Sequence, residues 1–136
     1  MNAVAGGTDA LHVEDLLVGA LAVLALQGIT TLRTTDRSFH EHFGKALEVF
    51  KNSGGRLGEL ARRYYRDVVS QTYEALDDAL ITAEQFGFVK FPNPTYSRLQ
   101  IAMTPRVARR LLEEIGAEHR GVFETAAKEL KDSVNA

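Results

Sequence analysis

Residues 70–104 constrain the fold more than any other stretch, because the hydrophobic period changes there from helical to alternating across a single glycine. Val69, Tyr73, Leu76, Leu80 and Ala83 recur at steps of three and four, which sets them on one stripe of a helix spanning 70–86. Asp77, Asp78, Glu84 and Gln85 take the other side. Gly87 can adopt the positive φ that ends a helix, and the β-prone pair Phe88-Val89 turns the chain straight into a strand over 88–91. After a polar tip over 92–97, Leu99, Ile101 and Met103 alternate with Arg98, Gln100 and Ala102 in a returning strand over 98–103. One face of that hairpin is buried and the other is wet.

The remaining segments read as helices around this unit. Residues 11–27 form a first helix with Asp9, Glu14 and Asp15 near its positive end, where the helix dipole favours carboxylates. Its apolar side chains, Leu16 to Leu26, run almost all the way round, so it must be covered on most sides. A second copy of the chain is a natural source of that cover, with Leu17, Leu21 and Leu24 at the contact. Gly28 ends the helix, and the β-branched segment 29–35 is a connector or a short strand. Ser38 and Glu41 have capping-box spacing for a second helix, whose stripe is Phe39, Phe43, Ala46, Leu47 and Phe50 and whose stop is Asn52-Ser53-Gly54-Gly55.

A third helix over 56–66 buries Leu57, Leu60, Ala61 and one of Tyr64 and Tyr65, and exposes Arg56, Arg62, Arg63 and Arg66. Ser70 is the expected N-cap of the helix that follows. Beyond the hairpin, Thr104-Pro105 is a strong helix start, with Thr as the cap and Pro at the first position. The inner face there is Val107, Ala108, Leu111, Leu112 and Ile115, and Gly116 ends or bends the helix. A terminal helix over 117–134 carries the narrow stripe Val122, Ala126, Leu130 and Val134 with Phe123, and either docks on the body or pairs with another subunit through Phe123 and Leu130.

Length and charge limit the remaining choices. At 136 residues the chain is one domain, spanning 11–136 after a frayed tail over 1–10, with its centre at 38–115. The absence of cysteine excludes disulfides, thiolate chemistry and Cys-ligated metals. A net charge of −2 and a pI of about 6.1 give no global attraction to nucleic acid or to an anionic membrane, so any such binding needs a local basic patch. The longest apolar run, 16–26, is interrupted by Gly19 and falls short of the ~20 residues of a membrane span. Acidic residues precede it where a signal peptide has basic ones, which points to a cytoplasmic protein.

The helix–loop–helix and hairpin together resemble the winged helix-turn-helix of bacterial transcription regulators, of the MarR and PadR types. The resemblance rests on Gly-Arg-Leu-Gly-Glu-Leu-Ala-Arg-Arg (55–63), Ser-Gln-Thr-Tyr-Glu-Ala-Leu (70–76), Gly-Phe-Val-Lys-Phe (87–91) and the Thr-Pro restart. It implies a mainly α fold with a two-stranded wing, extra helices at both ends and a homodimer made through them. It also implies a non-catalytic regulator of double-stranded DNA, with Ser70, Gln71, Thr72 and Tyr73 entering the major groove. Lys90, Arg98 and Asn93 would then place the wing on the backbone, with Arg56, Arg62, Arg63 and Arg66 on phosphates. Two departures stand against it: a linker longer than the usual tight turn, and Glu74, Asp77 and Asp78 close to the reading end. The alternative is a winged helix used for protein contacts in a larger assembly, its acidic face Glu74, Asp77 and Asp78 meeting a basic partner.

Catalytic and metal constellations are weak. His40 and His42 lie about 200° apart around a helix and do not converge on one ion, and His12 and His119 have no partner at ligand spacing. Asp77-Asp78 and Glu113-Glu114 are adjacent pairs facing different sides, as on solvated helices, and no phosphate loop or nucleophile elbow is present. The sequence points to neither a cofactor nor an enzyme.

Overall fold

The computed structural model describes residues 11–34, 38–91 and 98–131. The expected tail over 1–10, the tip over 92–97 with Asn93, and Val134 lie outside them. The chain is mainly helical with a small antiparallel sheet, in the order α1 (Asp15–Leu26), β1 (Thr31–Arg33), α2 (Ser38–Ser53), α3 (Gly55–Ala61), α4 (Glu74–Gln85), β2 (Val89–Lys90), β3 (Arg98–Ile101), α5 (Pro105–Ile115) and α6 (Arg120–Lys131). A 3-10 turn, Ala117–His119, joins the last two helices.

α1 is the axis of the core. α5 and α6 pack along it, and α3 and α4 touch it. Gly19 allows the closest approach, since a Cβ there would stand 2.3 Å from Cε1 of Phe123 and 2.8 Å from Cδ1 of Ile115. Leu17, Leu21, Leu24, Phe123 and Leu130, expected at a dimer contact, are each 0% exposed within the single chain. The chain's own C-terminal helices cover the apolar excess of α1, so its apolar circumference does not require a second copy at these residues. α1 begins at Asp15 rather than at 11, because the segment before it is held by other bonds. The Tyr64 hydroxyl donates to the Val13 carbonyl at 2.7 Å, Arg56 donates to the Leu11 carbonyl at 3.2 Å, and the His12 amide donates to the Asp15 carboxylate at 2.7 Å.

The stripe of α2 is buried as its spacing predicts, and Phe50 meets Phe123 of α6 edge-on with ring centroids 5.0 Å apart. α3 is shorter than expected: it ends at Ala61, the chain turns at Arg62-Arg63, and Tyr64 is buried beyond the helix while Tyr65 is exposed. Gly87, at φ +79°, ends α4 as anticipated, with the Phe88 amide donating to the Ala83 carbonyl at 2.9 Å and the Gly87 amide to Glu84 at 3.0 Å. Thr104 caps α5, its hydroxyl accepting from the Val107 amide at 3.2 Å.

The sheet has three strands rather than two, in the order β1-β3-β2. β1 joins through the register Thr31 to Gln100, Leu32 to Leu99 and Arg33 to Arg98, while Val89 and Lys90 of β2 face Ile101 and Gln100. Leu32, Val89, Leu99 and Ile101 point into the core, and Thr31, Arg33, Lys90, Arg98 and Gln100 point outward. The alternation in β1 is only three residues long, too brief to separate a strand from a connector until β3 is placed beside it.

Candidate functional site

The expected reading helix over 70–86 begins four residues late, at Glu74. Residues 66–73 form a closed loop instead, pinned at its base by an antiparallel bridge between Arg66 and Tyr73. Asp67 organises it: its backbone N–H donates to the Thr72 carbonyl at 2.8 Å, and its carboxylate accepts the amides of Val69 at 2.8 Å and Ser70 at 3.0 Å. Those two amides, Ser70's first, hold the Asp67 carboxyl below the usual carboxylate range. Gln71 sits at φ +62°, a left-handed conformation that no helix passes through.

Ser70 therefore caps nothing. Its hydroxyl lies 2.7 Å from that of Thr72, and the Gln71 amide group donates to the Val68 carbonyl at 2.7 Å. Arg66 donates to the Gln71 carbonyl at 3.3 Å. The polar groups expected to read bases are engaged inside the loop, while its apolar side chains Val68 and Val69 stand in solvent, at 85% and 93% exposed. Val69, assigned to the buried stripe, is thus on the surface, because the chain is not helical there.

Tyr73, also expected on the reading face, is buried. Its backbone N–H donates to Nδ1 of His40 at 2.9 Å, and its ring lies parallel to the imidazole at 6.2 Å. Because Nδ1 accepts a hydrogen bond from this amide, the neutral imidazole carries its own proton on Nε2, which stands 3.7 Å from the Asp77 carboxylate. Burial pushes the His40 pKa down; Asp77 works against that shift and Arg66 adds to it. No such role for His40 is visible from its spacing alone. Its one signal is its position next to Phe39, at the edge of the buried stripe of α2.

Along α4 the solvent side carries Glu74, Asp77, Asp78, Ile81, Glu84 and Gln85. No lysine or arginine occurs in this helix. Glu74 and Asp77 lie in its first turn, where the dipole stabilises them. Leu76, Ala79 and Ala83 are buried, whereas Leu80 is only partly so. Asp77, Leu80, Ile81 and Glu84 of α4 line a cleft of about 430 Å³ together with Phe39 and His40 of α2, Thr34 and Phe91.

The cationic candidates are divided between two places. Arg62, Arg63 and Arg66 are exposed at and beyond the end of α3, where Arg63 reaches Glu59 at 3.5 Å. Arg56 pairs with the same Glu59 at 2.7 Å. Lys90 and Arg98 lie on the outward face of the sheet with Arg33, which stands directly across from Arg98 in the ladder. Among the described residues, no group of three or more His, Asp or Glu side chains is placed to hold a metal ion, and no helix is long and apolar enough to cross a membrane.

Comparison of the chain with protein-family models, with curated proteins and with solved structures found no match.

Proposed function

We propose that this chain is a non-catalytic winged-helix module that docks a basic protein segment on α4, as a subunit of a larger assembly. The winged-helix reading is supported by the order of elements: α3, a connecting loop, α4, then the β2–β3 hairpin with β1 beside it. The observation that carries the docking reading is the solvent face of α4, with Glu74, Asp77, Asp78 and Glu84 and no cation. A duplex presents a negative charge every ~1.7 Å, so this face repels the surface that a reading helix must enter. A lysine- or arginine-rich segment meets the opposite field.

A second reading has its own support in the outward face of the sheet. Arg33, Lys90 and Arg98 share it, and they give a DNA-binding regulator phosphate contacts that do not involve α4. Fluorescence anisotropy with a labelled basic peptide and with a labelled duplex, both at ~50 mM salt, separates the two. Docking on α4 requires peptide binding that Asp78→Lys abolishes and no retention of duplex. Duplex binding that loses about one unit of salt slope in Arg98→Ala overturns it in favour of the sheet.

A further inference from the structure

The cleft between α2 and α4 has the chemistry of a small-molecule site. Its lining is largely aliphatic and aromatic, from Leu80, Ile81, Phe39 and Phe91, with Thr34 beside them, and its volume of about 430 Å³ is within the range of ligand pockets. Asp77 and Glu84 line it two helical turns apart on α4, about 10 Å along the axis, with Leu80 and Ile81 between them. The wall therefore reads carboxylate, hydrocarbon, carboxylate. Among the described residues no lysine or arginine lines it; Arg66 lines an adjoining depression with Asp67, Glu74 and Asp77. His40 directs Nε2 at Asp77 and adds no positive charge while it accepts the Tyr73 amide.

We propose that this cleft binds a linear aliphatic polyamine, its terminal ammonium groups on Asp77 and Glu84 and its methylene chain over Leu80 and Ile81. Charge complementarity selects a cation, and the separation of the two carboxylates selects an extended dication over a compact one. Phe91 adds apolar contact for the methylene chain. A metal ion is a poor match, because the two carboxylates are too far apart to share one coordination sphere. The proposal does not depend on α4 docking a protein, although a bound polyamine would neutralise part of the same acidic face.

Isothermal titration calorimetry with spermidine, n-pentylamine and magnesium chloride tests it on the full chain, with circular dichroism to verify that each variant is folded. The expected result is saturable spermidine binding, weaker pentylamine binding, and no displacement of spermidine by magnesium at equal ionic strength. Glu84→Gln, an exposed position, should weaken spermidine about fivefold and leave pentylamine nearly unchanged if the monoamine sits at Asp77. Equal affinity for the mono- and polyamine, equal competition by magnesium, or a Glu84→Gln variant that binds spermidine as the parent does would each overturn the proposal. Absence of spermidine binding in a protein that still captures a lysine-rich peptide would also overturn it, and would leave the protein-docking reading of α4 intact.

Discussion

A protonated His40 has no lone pair at Nδ1, and the Tyr73 amide at the head of α4 then loses its acceptor. Burial holds the folded-state pKa below the ordinary 6.5, so the unfolded chain takes up a proton first as the pH falls. The contribution of His40 to stability is fully present above pH 6.5 and is lost as the pH drops through 6.5 toward the folded-state value. Its slope there is at most about 1.4 kcal/mol per pH unit. Urea unfolding at a series of pH values should show a steeper loss below 6.5 for the parent than for His40→Asn, whose side-chain carbonyl can accept the same amide without titrating. Gly19 makes a second residue-scale test. Alanine has the better helix propensity by up to ~1 kcal/mol, but its Cβ would meet the buried Phe123 ring. Gly19→Ala should therefore destabilise by about 1–3 kcal/mol, read as a lower denaturant midpoint at unchanged slope.

At the scale of elements, α4 shows where a sequence pattern stops being sufficient. Leu76 is 0% exposed and Leu80 lines the cleft, so Leu76→Ala should cost ~2–5 kcal/mol and Leu80→Ala clearly less, by chemical denaturation. The stripe of α2, the glycine stop at Gly87 and the Thr104-Pro105 start were all legible, because each is set by local chemistry that acts wherever the chain goes. The start of α4 was not. Ser70 is a good cap by type, but Asp67 offers the Val69 and Ser70 amides a competing acceptor, and Gln71 then takes a left-handed φ that breaks the helical path. The cleft was equally hidden, since Phe39 and His40 meet Asp77 and Glu84 only once α2 and α4 are brought together. β1 depended in the same way on its partner β3.

For the whole molecule, the apolar circumference of α1 was read correctly as a demand for cover, and the source of that cover was misassigned. Hydrophobicity around a helix does not say whether the neighbours belong to the same chain. Because Leu21 is 0% exposed in one copy, Leu21→Asp should abolish the folded state, seen as loss of cooperative melting, rather than release monomers from a dimer. The same packing sets an order of events during synthesis. α1 leaves the ribosome early, whereas α5 and α6, which enclose it, follow only after about a hundred more residues, roughly 5–20 s later at ordinary elongation rates. For that interval α1 has only its smaller contacts with α3 and α4 as native shelter, and the apolar surface that α5 and α6 will cover stays open to chaperones or to aggregation.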